Sequence, residues 1–209
     1  MSAFPQPLVA IAAPLLRDNI DTDTIIPSRE MRSTGRTGLA DGLFAPWRYV
    51  DADARAENPD FVLNDPAYRG AAILAAGRNF GCGSSREHAV WALAEYGVKA
   101  IVAESFAPIF RNNCIRNFLL PVALDRAAVE AIAGRAVTID LAARSLACGG
   151  VTYPFALEDE ALEMLRHGLD AIDLTLQQRA AIDAWTAADR ARRPWVYDLP
   201  ARTQEPATP

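Results

Sequence analysis

The sequence predicts an α/β fold with a parallel core and small antiparallel hairpins, and three observations predict it. Between Ala71 and Leu124, short apolar runs alternate with helical patterns, as parallel strands joined by helical crossovers require. Further on, three short strand patterns follow one another, two of them joined by Gly149-Gly150, a strong two-residue hairpin signal. A length of 209 residues with 51% hydrophobic content suffices for one substantial core. A single domain over residues 1–200 is therefore expected, with 201–209 as a disordered tail.

In chain order, Leu8 to Leu15 is apolar and rich in Val, Ile and Ala, a strand that leaves the core into the polar loop Asp18-Asn19-Ile20-Asp21-Thr22-Asp23. Ser28 to Asp41 is dense in Arg, Thr and Gly without apolar periodicity, and reads as a binding loop or plain surface. Ala45 to Arg69, interrupted by Pro46, Pro59 and Pro66, reads as an irregular excursion held down by Trp47, Tyr49, Phe61 and Tyr68. Ala71 to Ala76 is a buried strand, Gly77 to Gly83 a Gly-rich turn, and Ser84 to Tyr96 a helix with Ala89, Leu93 and Tyr96 on one side. A strand at Val98–Ala103, a helix from Ser105 to about Asn117 and a strand at Leu119–Leu124 complete the parallel part. Val137–Leu141, Ser145–Cys148 and Val151–Phe155 are the antiparallel strands. Glu158–His167 is a helix closed by Gly168, and Leu174–Arg190 a long terminal helix in which Thr175 and Gln178 have capping-box spacing.

Composition excludes several function classes. With 21 basic against 26 acidic side chains the formal charge is −5, so no basic face invites nucleic acid. No apolar run reaches the roughly 18–20 residues of a membrane span, and Met1 to Pro7 lacks the features of a secretion signal, which predicts a cytoplasmic protein. Cys82, Cys114 and Cys148 are odd in number and far apart, which suits neither a disulfide framework nor a self-contained iron-sulfur or zinc site. No metal is expected on this chain alone.

The stretch with most chemical content is Asn79-Phe80-Gly81-Cys82-Gly83-Ser84-Ser85-Arg86-Glu87-His88. Gly81 and Gly83 let backbone N–H groups turn inward ahead of a helix, where those donors, the helix dipole and Arg86 converge on an anion. The spacing of Ser84 and Glu87 equally suits a capping box, a purely structural use. Amides and a guanidinium would also stabilise a serine alkoxide, so Ser84 is conceivable as a base. A hydrolase triad fits poorly, since no GxSxG elbow is present and His88 follows on the same helix.

Taken together, Asp21-Thr22-Asp23-Thr24-Ile25-Ile26-Pro27, the Asn79 to Ala89 stretch, Glu104-Ser105-Phe106-Ala107 and Leu119-Leu120-Pro121 resemble the 3-isopropylmalate dehydratase small-subunit family of the aconitase superfamily. The resemblance covers about residues 5 to 198. It implies a swivelling β/β/α domain like the mobile fourth domain of aconitase, made as a separate chain. It also implies a partner, a large subunit that holds the [4Fe-4S] cluster, with no cofactor bound by this chain. The implied reaction interconverts 2-isopropylmalate and 3-isopropylmalate through isopropylmaleate, a step of leucine biosynthesis, on a small dicarboxylic hydroxy acid.

Carried over by motif, Ser84 corresponds to the family's catalytic base, and Ser85 and Arg86 to its substrate-carboxylate binders. Arg36 corresponds to a second substrate arginine, for which Arg32 or Arg29 are alternatives because the spacing differs by about one residue. Pro27 to Gly38 occupies the substrate-recognition loop, where Met31 would suit an isopropyl group. Asp21 and Asp23 orient an arginine or the closing loop, or simply shape a turn. His88 is a supporting group, and Cys82 packs within the active loop. Two alternatives stay open: a related hydro-lyase small chain of citraconate/methylmalate or homoaconitate type, and a stand-alone carboxylate-binding module.

Overall fold

The structure is a computed structural model that describes residues 3–31 and 35–197. It contains two compact units, the first ending at Asp170 and the second beginning at Ala171. In the first unit, β1 (Leu8–Leu15) is followed by a single helical turn, α1 (Thr22–Ile25), and by the excursion carrying α2 (Ala45–Arg48), β2 (Tyr49–Asp51) and β3 (Ala56–Glu57). The parallel part comprises β4 (Ile73–Ala76), α3 (Glu87–Tyr96), β5 (Ala100–Ala103), α4 (Pro108–Arg116), β6 (Leu120–Ala123) and α5 (Arg126–Ile132). Then come β7 (Ala136–Asp140), β8 (Ser145–Cys148), β9 (Val151–Pro154) and α6 (Asp159–His167).

Seven strands form one sheet in the order β6-β5-β4-β1-β7-β8-β9. The β1 strand is the hinge between its two characters. Its second half, Ala12 to Leu15, pairs parallel with Ile73 to Ala76, while its first half, Leu8 to Ile11, pairs antiparallel with Ala136 to Ile139. Every residue of β4 and β5 is buried, which is why both read as unbroken apolar runs rather than alternating ones. Pro121, which lacks a ladder donor, sits in β6 at the sheet edge, where that donor is dispensable. The sheet thus bears out the mixed α/β class with a parallel core and antiparallel hairpins.

Leu74, Phe80, Leu93, Ile101 and Phe110 lie in the main core cluster, which also takes in the excursion through Phe44, Phe61 and Leu63, with Trp47 and Tyr68 packed against it. The Phe44 and Trp47 rings stack 5.9 Å apart. Tyr49 is not part of that cluster; its hydroxyl donates to the Asp41 carbonyl at the surface.

Several boundaries differ from the sequence expectation. The helix expected from Ser84 begins at Glu87 with Arg86 as its N-cap, so the Ser84/Glu87 capping box does not form. The helix expected from Ser105 begins at Pro108, a residue suited to the first helical position. The seven-residue α5, capped by the Asp125 carboxylate on the Ala128 N–H, was not foreseen. In the second unit the terminal helix is two: α7 (Ala171–Leu176) and α8 (Arg179–Arg192). Thr175 donates back to the Ala171 carbonyl instead of capping α8, and Gln178 is the cap residue without a side-chain bond. The expected tail, 201–209, lies outside the described residues, as does Arg32.

Candidate active site

Three loops leave the carboxyl ends of the adjacent parallel strands β1, β4 and β5, the position where open α/β sheets bind ligands. They are laced together by main-chain bonds. Gly81 N–H donates to the Ile20 carbonyl (2.7 Å), Thr22 N–H to Cys82 (2.9 Å), Phe80 N–H to Ser105 (2.9 Å) and Ala107 N–H to Phe80 (3.0 Å). The Thr22 hydroxyl, on a residue that is almost completely buried, adds a bond to the Ser84 carbonyl (3.1 Å). Asp21 caps α1 by accepting from Thr24 N–H at 2.6 Å. Gly81 adopts φ +74°, and a Cβ there would overlap the Phe110 ring, so only glycine lets the loop pass between Ile20 and α4.

This lacing explains the late helix start. The Ser84 carbonyl is engaged by Thr22 Oγ1 and by Arg86 N–H (2.7 Å), and Arg86 itself is extended at φ −104°, ψ 98°. The N–H groups of Gly83, Ser84 and Ser85 consequently take no hydrogen bond within the described residues, and all three residues are exposed. The anion-accepting donors foreseen at a helix end belong instead to the loop ahead of it.

The Arg86 guanidinium is well ordered by its neighbours. Its Nη1 donates to Asp23 Oδ1 (2.6 Å) and to the Ile26 carbonyl (3.0 Å), and its Nη2 lies 3.4 Å from Ser28 Oγ. A guanidinium has five N–H donors, and those in use here are on Nη1 and Nη2, so Nε keeps its donor without a partner among the described residues. Ser84 and Arg86 line one cavity of about 210 Å³ together with Thr22 and Asn113. Its remaining wall is apolar: Ala107, Pro108, Ile109 and Phe110.

Asp21, Asp23, Ser84, Ser85 and Arg86 are thus brought together, whereas the other sequence-derived candidates lie elsewhere. The Arg36 guanidinium sits 5.1 Å from the Trp91 ring centroid, on the second turn of α3. His88 stacks obliquely on the same indole at 4.6 Å. Met31 is half-buried against the core cluster, and Arg29 is exposed beside Glu30 at 3.6 Å. Cys82 is half-buried, and burial followed by the nearby Asp21 charge pushes its thiol above the ordinary cysteine value. Sequence reasoning missed Thr22, the α4 wall and Glu95. Glu95 accepts N–H bonds from Gly38 (2.7 Å), Leu39 (2.6 Å) and Ala40 (2.9 Å), tying down one end of the recognition loop.

Among the described residues no three His, Cys, Asp or Glu side chains converge as metal ligands. The three thiols do not fit an iron-sulfur cluster: Cys114 is fully buried in α4, Cys148 is buried in β8, and Cys82 stands alone in the active loop. No helix among the described residues is long and apolar enough to cross a membrane.

Residues 6–127 match the aconitase C-terminal domain family, which makes the parallel half and its three loops a domain of the aconitase type, the class to which hydro-lyases of this superfamily belong. Residues 172–198 match the family of C-terminal domains of the 3-isopropylmalate dehydratase small subunit. The chain is 56% identical over 196 residues to the 3-isopropylmalate dehydratase small subunit of Cupriavidus necator, covering 90% of this chain and 94% of that one. It is 49% identical over 197 residues to the protein of the same name from Rhodospirillum centenum, covering 90% and 96%. A crystal structure of 3-isopropylmalate dehydratase from Methanocaldococcus jannaschii superposes with a TM-score of 0.64 at 29% identity, covering 87% of this chain and 99% of that one. The chain belongs to the 3-isopropylmalate dehydratase small-subunit family.

Proposed function

We propose that this chain supplies the proton-transferring and carboxylate-binding half of a 3-isopropylmalate dehydratase and works only when assembled with a large subunit. The observation that carries the reading is the shared cavity: Gly83, Ser84 and Arg86 line one region of about 210 Å³, beside a loop whose N–H groups at 83–85 take no hydrogen bond within the described residues. Removing a proton from a carbon beside a carboxylate builds negative charge on that carboxylate, so fixed donors must already be aimed at it. Arg86, preset by Asp23 and the Ile26 carbonyl, meets that need without reorganising.

In this reading Ser84 takes the carbon-bound proton while hydroxide departs from the neighbouring carbon, leaving the double bond of isopropylmaleate. Return of proton and hydroxide to exchanged carbons completes the isomerisation. Ser85 assists carboxylate binding, and Arg36, now parked on Trp91, is the arginine that reaches substrate when the recognition loop closes. The [4Fe-4S] cluster implied by the family sits on the large subunit, since the thiols here do not fit it. The pathway is leucine biosynthesis and the compartment the cytoplasm.

The test is anaerobic mixing of this chain with a cluster-loaded large subunit, following isopropylmaleate formation from 3-isopropylmalate with methylmalate as competitor. Turnover only in the mixture, favouring isopropylmalate, is expected. Preference for methylmalate would move the substrate, and inactivity of a verified complex would favour a stand-alone anion-binding module.

A further inference from the structure

Ser84 and Glu87 have the spacing of a capping box, in which the serine oxygen accepts the Glu87 N–H and the glutamate side chain accepts the Ser84 N–H. A closed box would tie the Ser84 hydroxyl to the end of its own helix. The structure leaves the box open: Arg86 is the N-cap of α3, without a side-chain bond, and the Ser84 N–H takes no hydrogen bond within the described residues. Two buried polar side chains from outside the helix engage the two members of the box, one each. Thr22, only 1% exposed, donates its hydroxyl to the Ser84 carbonyl at 3.1 Å, and so occupies the oxygen that an N-cap residue offers to the first helical turn. Asn117, 8% exposed at the end of α4, donates its amide to Glu87 Oε1 at 2.8 Å and to the Asn113 carbonyl at 2.9 Å, while its own oxygen accepts the Trp91 indole N–H at 2.9 Å.

Burying a polar side chain is costly unless its bonds are made, and these two direct theirs at one four-residue stretch from positions 62 and 30 residues away in sequence. Helix stability alone does not call for this division, since Ser84 and Glu87 left to each other would satisfy two donors of the helix end. We propose that Thr22 and Asn117 are positioning residues that hold Ser84 out of the capping box of its own helix and thereby keep its hydroxyl available for proton transfer. The inference rests on the reading of Ser84 as the base. Thr22 sets the course of the loop backbone, and Asn117 withholds the carboxylate that would close the box. Arg86 depends on neither side chain, being fixed by Asp23 and by the Ile26 carbonyl. Proton transfer and carboxylate binding are therefore separable.

The test measures kcat and KM of the assembled two-subunit enzyme carrying Thr22→Val, Thr22→Ser or Asn117→Ala, each with and without Glu87→Ala, beside Ser84→Ala and the wild type. Amide hydrogen exchange at Ser84 is followed on the same full-length chains. Thr22→Val removes the hydroxyl at nearly constant shape, Thr22→Ser keeps it, and Asn117→Ala frees the Glu87 carboxylate. Thr22→Val and Asn117→Ala are expected to lower kcat about five- to tenfold, the population shift of a cap of ordinary strength, with KM nearly unchanged and exchange at Ser84 slowed by a similar factor. Thr22→Ser should retain the wild-type kcat, and Glu87→Ala, by removing half of the box, should restore most of what the other two variants lose. Exchange at Ser84 that does not slow, or a loss that Glu87→Ala does not relieve, would overturn the proposal and leave a general loosening of the loop. Unchanged turnover of Thr22→Val and Asn117→Ala beside an inactive Ser84→Ala would overturn it equally. Full turnover of Ser84→Ala would instead remove the base itself, and the proposal with it.

Discussion

Ser84 and Arg86 occupy neighbouring positions but are held in opposite ways, and that difference separates chemistry from stability. The Ser84 hydroxyl is exposed and bonded to nothing in the described chain, whereas its carbonyl is anchored by Thr22. Ser84→Ala should therefore leave thermal stability within about 0.5 kcal/mol, as for a surface position without structural contacts. If the hydroxyl is the base, turnover of the complex should fall by about 10²–10⁴. Retained turnover would remove Ser84 from that role. Arg86→Lys keeps a positive charge that still reaches Asp23, but an ammonium cannot present a planar two-donor edge. Loss of one charge-assisted hydrogen bond costs about 1.5–3 kcal/mol, so kcat/KM should drop by about 10- to 150-fold. Unchanged steady-state kinetics would place the substrate carboxylate elsewhere. Asp23 is more than half exposed, so its pair with Arg86 matters for orientation more than for folding energy.

At the scale of elements, the recognition loop is a strap pinned at both ends. Ser28 and the Ile26 carbonyl meet Arg86 at one end, and the Glu95 carboxylate collects three successive N–H groups at the other. Burial opposes the Glu95 charge, but the bonds from Gly38, Leu39 and Ala40 together outweigh it and hold the carboxyl below the ordinary glutamate value. Because the folded value is depressed, the latch is fully present at neutral pH and is lost only as pH falls through that lowered value. Glu95→Gln should weaken it by about 1 kcal/mol, the usual scale for a side-chain cap on backbone amides. Hydrogen exchange at Gly38, Leu39 and Ala40 should quicken at pH 7 and KM should rise more than kcat falls. Unaltered protection would show that the strap is held by other contacts. Glu95 carries no motif, which is why only the structure reveals it: its partners are 55 to 57 residues away in sequence. The parallel strands were legible because β4 and β5 are buried on both faces and so leave uninterrupted apolar runs. The start of α3 was not, because Ser84-x-x-Glu87 mimics a cap, while the deciding bond comes from Thr22, 62 residues upstream. Ser84 and Arg86 were legible in the Gly-rich loop itself, whereas Ser85 and Asp23 joined them only through the family resemblance; the α4 wall of the cavity was not legible.

At the scale of the whole molecule, the distribution of burial divides the chain more sharply than its length suggests. Every buried apolar residue described lies at or before Leu165, in the unit ending at Asp170. In the second unit the buried residue is a charged one, Asp189, held by Arg193 at 2.7 Å, by Tyr197 at 2.8 Å and by Arg192 at 3.4 Å, while Ile172, Trp185 and Trp195 are largely exposed. A polar cluster of this kind orders the end of α8 locally, but it removes little hydrocarbon from water, and hydrocarbon burial is the main source of folding free energy. The first unit therefore carries its own stability. A chain ended after Asp170 should unfold cooperatively, with a Tm within about 3 °C of the full chain, because a shift of 2–4 °C corresponds to only about 1 kcal/mol at this size. Calorimetry and near-ultraviolet circular dichroism on both chains check it, the second reporting whether the Phe44–Trp47 stack survives. A Tm lowered by 10 °C or more, or a non-cooperative transition, would show that residues beyond Ala171 complete the core, and the exposed Trp185 and Trp195 would then have to be counted among its contacts.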